Sequence, residues 1–138
     1  MLTTEPNINL ISIISLIDDQ NKVLIGKRPN AKKFPFLWEF PGGKVKKNET
    51  PEEAIIRESR EEININLDNN CLAPLTFSTY KDNDLEIIIL LYIARIWKLE
   101  PKPIYHSEIK WVKPKDLRQY KMPPANDFLI SSLQDLLI

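Results

Sequence analysis

The amino-acid sequence predicts an α+β fold in which a β-sheet is sandwiched between two helices. Three observations lead there. β-Branched, turn-bounded runs read as strands in both halves of the chain, a strongly capped helical segment begins at Thr50, and the last segment carries apolar residues at helical spacing. Strands, helix, strands and helix in that order suit a sheet covered on both faces. At 138 residues the chain fits a single domain, residues 1–138, because a chain of this length buries roughly 68–70% of its unfolded surface and needs no staple.

After a short polar lead, Ile8 to Ile17 mixes β-branched residues with Ser and Asn, Asp18 to Asn21 makes a turn, and Lys22 to Lys27 resumes as a strand. The two strands are expected to form a hairpin. Pro29 to Pro35 reads as a basic, proline-bounded loop, Leu37 to Phe40 as a short aromatic strand, and Pro41-Gly42-Gly43 as a sharp break. Thr50 can cap a helix with Pro51 in its first position and Glu53 closing a capping box. That helix should run to about Ile63, where Asn64 supplies a left-handed end. Cys71 to Tyr80 and Leu85 to Trp97 read as strands joined by a turn at Lys81 to Asp84, and Glu108 to Val112 as a further strand. Pro114 to Tyr120 reads as a short helical turn. From Asn126 to Leu137, the residues Leu129, Ile130, Leu133, Leu136 and Leu137 recur at helical spacing and should pack one face on the sheet.

Composition narrows the function. Hydrophobic residues make up 43% and charged residues 28%, which excludes a disordered or fibrous chain. Lys and Arg number 19, as do Asp and Glu, so no global field draws the protein to duplex nucleic acid or an anionic membrane; a polyanion has to be held locally. Cys71 is the only cysteine and His106 the only histidine, which excludes an intrachain disulfide and a Cys/His zinc site. His106 itself reads as a surface loop residue. The longest apolar run, Ile87 to Ala94, is far short of the roughly 20 residues of a membrane-spanning helix. The start, Met1 to Ile17, lacks a basic leader and a small-residue cleavage site. A reducing, cytoplasmic setting is the expectation.

The chemical signal lies in Arg57-Glu58-Ser59-Arg60-Glu61-Glu62. Glu58, Glu61 and Glu62 are spaced i, i+3 and i+4 and share a helix face, with Ile56, Ser59 and Ile63 roughly opposite, toward the core. Like charges at this spacing cost about 0.2–0.5 kcal/mol, and acidic groups in a last helical turn oppose the macrodipole by about 0.3–1 kcal/mol each. A divalent cation offsets such a cluster, since Mg²⁺ prefers carboxylate oxygens and shares its other positions with water and phosphate. Taken alone, the cluster reads more simply as a solvated acidic face balanced by Arg57 and Arg60, with Glu52 and Glu53 serving the helix start. The diglycine just before it, where backbone can approach a ligand or expose a carbonyl, is what a solvated face leaves unexplained.

Together, Gly43, Glu49, Arg57, Glu58, Glu61 and Glu62 follow the pattern glycine, five residues, Glu, seven residues, Arg-Glu-x-x-Glu-Glu, which resembles the Nudix box. Leu37 to Lys44 and Glu49 to Glu52 are similar to the MutT-like branch of that family, the 8-oxo-dGTP diphosphatases, as are Arg28 and Pro123-Pro124-Ala125-Asn126. The resemblance extends from about Ile8 to Leu137. It implies a mixed β-sheet between helices, α/β/α in layers, and metal-dependent hydrolysis of a nucleoside triphosphate to monophosphate and pyrophosphate. It also implies roles for individual residues. Glu58 and Glu62 would bind Mg²⁺ or Mn²⁺ with the Gly43 carbonyl, and Glu61 would be a ligand or position water. Arg57 would pair with Glu49 and hold loop and helix in register. Arg28 would contact phosphate or sugar, Phe40 line the pocket and Asn126 hydrogen-bond the base. The implied partner is a small nucleotide, bound by a monomer or small homo-oligomer. 8-oxo-dGTP is the leading substrate, CTP or a generic triphosphate the alternative, and a non-catalytic nucleotide-binding module the reading from another class. Bound metal would do the activation, so no Ser or Cys nucleophile is required.

On their residues alone, Arg28 reads equally as a solubilising edge charge and Asn126 as a helix cap. Three positions depart from the family pattern. Ser59 stands where an aliphatic residue is usual and Asn64 where Gly is. Tyr105 stands six residues before Trp111, where such proteins often place a Glu. Glu108 is a possible substitute, though in a strand it can equally face solvent.

Overall fold

The computed structural model describes residues 7–137; the lead before Asn7 lies outside the described residues. The chain runs β1 (Ile8–Leu16), β2 (Val23–Lys27), β3 (Trp38–Glu39), β4 (Gly42–Lys44), α1 (Pro51–Ile63), β5 (Ala73–Asp82), β6 (Leu85–Ala94), β7 (Glu108–Val112) and α2 (Asp127–Leu136). The fold is mixed α+β, as expected, with its strands divided between a four-stranded sheet, β4-β1-β6-β5, and a three-stranded sheet, β3-β2-β7. Among the described residues no helix is long and apolar enough to cross a membrane.

The expected β1–β2 hairpin does not form. The turn closes, with the Asp18 N–H donating to Lys22 O at 3.0 Å and an isolated bridge between Ile17 and Val23, but the strands then part. β1 is parallel to β6 from Ile8↔Glu86 to Leu16↔Ala94 on one side and antiparallel to β4 on the other. With both edges of β1 filled, β2 has to build a second sheet with β3 and β7. Pro41-Gly42-Gly43, expected as a break, instead supplies β4. Gly42 has φ +145°, and a Cβ there would lie 2.2 Å from Ser12 O, so only glycine fits this approach to β1.

Strand alternation makes the sandwich. On β1 and β2, Ile13, Val23 and Ile25 join the core that includes Leu129, Ile130 and Leu133 of α2, whereas Ile14, Leu16 and Leu24 join the core under Ile55 and Ile63 of α1. Successive side chains point to opposite faces, so each strand contributes to both layers. α2 follows the predicted spacing except at Leu136, which is left exposed, and Asn126 makes no side-chain hydrogen bond to its N-terminus.

α1 forms where its local signals place it. Thr50 Oγ1 accepts from Glu53 N at 3.1 Å, Glu53 Oε1 accepts from Thr50 N at 3.3 Å, Pro51 opens the first turn and Asn64 ends the helix at φ 62°. β5 starts two residues later than expected, after a 3-10 turn at Asn69–Cys71, and β6 ends at Ala94 rather than Trp97. The β5–β6 turn is confined to Asn83 and Asp84, with Asn83 at φ 57°. Pro114–Gln119 is a 3-10 helix.

Ser59 faces the core, fully buried, and its hydroxyl has no hydrogen-bond partner among the described residues. A buried hydroxyl without a partner costs about 1–3 kcal/mol, so Ser59→Ala should stabilise the protein by about 1 kcal/mol despite the lost atom. Urea unfolding checks this: the midpoint should rise at constant m, and a fall would show that the hydroxyl does find a partner.

Candidate active site

α1 packs on β1 and β4, which brings Glu58 and Glu62, one turn apart, against the diglycine. The Gly42 N–H donates to Glu62 Oε1 at 3.0 Å. Glu58 sits so close to Gly43 that a Cβ there would meet its Oε1 at 2.7 Å. The helix therefore closes on a strand that carries no side chains at the point of contact, and the freed space holds carboxylates. Ala54, Ile55, Ser59 and Ile63 are buried beneath the helix, and Glu62 is only 9% exposed. Burial pushes the Glu62 carboxyl up to about 8 against the pull of the Gly42 N–H, with the charges of Glu39 and Glu58 adding to the rise.

Arg57 ties the loop to the helix. Its Nε and Nη2 donate to Glu49 Oε2 and Oε1 at 2.8 and 3.0 Å, Nη1 to Glu58 Oε1 at 2.8 Å, and Nη2 also to Lys44 O at 3.2 Å. The fork on Glu49 is bidentate, the geometry that fixes orientation best. The Arg57 hydrogen bonds, with a further one from the Lys46 N–H, hold the Glu49 carboxyl down at about 2. The hydrogen bond to Glu49 is likewise the main force raising Arg57. Glu61 stands apart from Glu58 and Glu62: its side chain is 59% exposed and only grazes Arg57 Nη1, at 3.5 Å.

A cavity of about 980 Å³ opens beside this corner, lined by Gly42, Gly43, Arg28, Phe40 and Asn126 among others, with Ile11, Ile13, Ile87 and Ile89 as an apolar wall. This is ample for a nucleotide-sized ligand. Arg28 Nη1 donates to Glu39 Oε1 at 2.7 Å and its Nε to Lys33 O at 3.2 Å. Burial lowers the Arg28 guanidinium, but the hydrogen bond and charge of Glu39 outweigh it and the net shift is upward. Asn126 is buried, its amide nitrogen 3.8 Å from Met122 Sδ. The structure thus brings Arg28, Phe40, Gly43 and Asn126 to one cavity and sets Glu58 and Glu62 against its diglycine wall.

Two residues of this site were not expected. His106 is not on the surface but 3% exposed, with Nε2 2.9 Å from Glu39 Oε2. Glu39, not singled out from the sequence, lines the cavity with Arg28 and links that arginine to the buried His106 behind it. The available signal was Gly26, a glycine inside a strand, where a Cβ would lie 2.5 Å from the His106 ring. Tyr105 packs edge-on against His106 with centroids 5.0 Å apart. Its phenol is raised chiefly by burial, with Arg28 opposing and the charges of Glu39, Glu62 and Glu58 adding. Glu108 is exposed at the start of β7 and faces solvent.

The donor set fits a hard divalent cation. Glu58 and Glu62 present oxygen beside backbone that comes unusually close, and Glu62 is a carboxyl whose ionised form burial and neighbouring charge disfavour, so a cation would stabilise it. Among the described residues no three acidic, His or Cys side chains converge into a complete cage. Two carboxylates with remaining positions left to water and substrate oxygens suit Mg²⁺ better than an all-protein cage would.

A protein-family model described as NUDIX domain matches residues 8–133. The chain is 32% identical over 128 residues to an 8-oxo-dGTP diphosphatase of Buchnera aphidicola subsp. Schizaphis graminum, covering 91% of this chain and 93% of the relative. It is 27% identical over 133 residues to a CTP pyrophosphohydrolase of Escherichia coli K12, covering 90% of each. A solved MutT structure, from work on Aliivibrio salmonicida and Vibrio cholerae, superposes with a TM-score of 0.78 at 26% identity, over 94% of this chain and 98% of that one.

Two carboxyls should set opposite pH limbs of stability in the absence of divalent cations. Glu62, raised from 4.5 to about 8, binds its proton more tightly folded than unfolded, so its contribution is present at low pH and is lost as pH climbs through that window. Glu49, lowered from 4.5 to about 2, contributes above its unfolded value and loses that contribution as pH falls toward 2. Thermal scans against pH should show Glu62→Gln flattening the decline toward pH 8 and Glu49→Gln flattening the acid limb. Parallel curves for either variant and wild type would remove that carboxyl as a source of the slope.

Proposed function

The chain belongs to the NUDIX domain family, and on that premise we propose that it is a metal-dependent nucleoside triphosphate pyrophosphohydrolase whose substrate is 8-oxo-dGTP, cleaved to 8-oxo-dGMP and pyrophosphate. The observation that carries this reading is that Glu58 and Glu62 meet the diglycine on the wall of the cavity that also holds buried Asn126. A polyphosphate can reach the acidic corner while a base reaches the amide. Relatives named 8-oxo-dGTP diphosphatase support the substrate.

In this reading Glu58 and Glu62 hold Mg²⁺ or Mn²⁺ together with the Gly43 carbonyl. When bound, the cation neutralises charge on the phosphate oxygens and makes a water nucleophilic. The remaining work belongs to the chain. Arg57 fixes Glu58 while anchoring itself on Glu49, so the carboxylate meets its ligand without searching rotamers. Glu61, exposed and weakly held, is free to act as a further ligand or to orient the attacking water. Arg28 lies on the cavity wall and offers its guanidinium to phosphate or sugar. Phe40 and the isoleucine wall exclude water from the base, and Asn126, not engaged as a helix cap, hydrogen-bonds its edge.

A second substrate reading, CTP, draws support from the relative named CTP pyrophosphohydrolase. Base choice turns on a few contacts of small free-energy difference, so the same corner serves either.

Assaying products with Mg²⁺ over a nucleotide panel tests both readings: pyrophosphate release and a clear preference for 8-oxo-dGTP over dGTP are expected. Equal turnover of the two, or none of 8-oxo-dGTP, removes the substrate assignment; preference for CTP installs the second reading. In the same assay Glu62→Gln should lower kcat/KM by well over tenfold. A smaller loss, below about 1.4 kcal/mol of barrier, would leave Glu62 without a principal part in binding the metal.

A further inference from the structure

We propose that His106 is a positioning residue for substrate binding, acting through Glu39 to fix the guanidinium of Arg28. β2 lies between β3 and β7, and within it Gly26 is the cross-strand partner of Glu39 on one side and of Ile109 on the other. His106 sits just before β7 and reaches over β2 where Gly26 has no side chain to stop it; a Cβ at 26 would lie 2.5 Å from the ring. Its Nε2 meets Glu39 Oε2 at 2.9 Å, and the other oxygen of that carboxylate accepts from Arg28 Nη1 at 2.7 Å. The segment is pinned on both sides, with the Ser107 N–H donating to Lys27 O at 3.0 Å and the Tyr105 N–H to Glu62 O at 3.1 Å.

The arrangement has a direction. The His106 side chain is fully buried, Glu39 16% exposed and Arg28 20% exposed, so order passes from the core to the cavity wall. Each Glu39 oxygen is engaged by one donor, which leaves the carboxylate a single orientation. On Arg28, Nη1 is taken by Glu39 and Nε by Lys33 O, while Nη2 has no acceptor among the described residues. That free end is what a phosphate or ribose oxygen would meet. The imidazole Nδ1 is buried with no partner, so every polar contact this side chain makes is directed at Glu39. Facing a carboxylate, which only accepts, Nε2 is the nitrogen that donates.

This inference rests on reading the cavity as the nucleotide site, and the experiment keeps the two apart. Steady-state kinetics on the preferred triphosphate would compare wild type with His106→Leu, His106→Gln, Arg28→Ala and the double variant His106→Leu/Arg28→Ala. His106→Leu should raise KM about tenfold with kcat within about threefold of wild type. His106→Gln, whose amide nitrogen can replace Nε2, should recover most of the loss. In the Arg28→Ala background the leucine should add less than about twofold, because the contact it disturbs is gone. Equal effects in both backgrounds, or a loss confined to kcat, would overturn the inference, whereas a wild type that hydrolyses nothing sinks the functional reading instead. A readout independent of turnover covers a variant that does not fold: the chain has one histidine, so the imidazole ¹⁵N signals of the wild type are unambiguous. They should show Nε2 protonated, with the Nε2 signal moving in Glu39→Gln and not for a surface carboxylate such as Glu108→Gln. An Nδ1–H tautomer, or indifference to Glu39→Gln, would refute the proposal.

Discussion

Two carboxylates lie against a strand that has no side chains where they meet it. Glycine at 42 lets β4 close on β1 and glycine at 43 leaves room for the Glu58 carboxylate, while the Gly42 N–H binds the acidic helix to the four-stranded sheet through Glu62. β4 in turn caps one edge of β1, which commits β1 to β6 on its other edge and sends β2 into the second sheet. The division of strands that makes room for the cavity thus follows from the same close approach that assembles the acidic corner.

Such a corner has to be held against its own repulsion. Glu62 bears that repulsion: burial disfavours its charged form most, and the charges of Glu39 and Glu58 add to the effect. Two arginines counter it: Arg57 binds Glu58 and anchors on Glu49, and Arg28 binds Glu39. None of these three pairs is an ordinary surface ion pair of little energetic worth, since the side chains involved are between 14% and 21% exposed and one arginine makes a bidentate contact. Their value lies in geometry. Each fixes a carboxylate whose direction decides what a ligand finds.

Much of this was legible in the sequence where the determinants are local. The helix from Thr50 to Asn64 formed with its capping box, proline and left-handed end because each of those signals acts within four residues. The pairing of Arg57 with Glu49, implied by the family resemblance, appears as a bidentate contact. Strand pairing was less legible. Ile8 to Lys27 looked like a hairpin because the turn chemistry at Asp18 to Asn21 is genuine, but the turn says nothing of partners that lie distant in sequence, and β6 and β4 claimed both edges of β1. His106 was misplaced for a related reason. A lone histidine among Pro, Tyr and Ser has the composition of a loop, and what buries it is a missing side chain eighty residues earlier, at Gly26.

That last case bears on how such sites are read. The chain has three glycines, and each opens space for an atom from another element: the His106 ring over Gly26, the Ser12 backbone against Gly42 and the Glu58 carboxylate against Gly43. Only Gly42, at φ +145°, needs its backbone freedom; the other two are there for what they lack. All three absences surround the same carboxylates, since Gly26 is paired with Glu39 across the β2–β3 ladder and Gly42 and Gly43 touch Glu62 and Glu58. A glycine inside a strand weakens it unless something occupies the vacated space. In a chain this sparing of glycine, following each one to its occupant leads from the acidic helix, which the motif makes obvious, to the histidine and Glu39, which no motif marks.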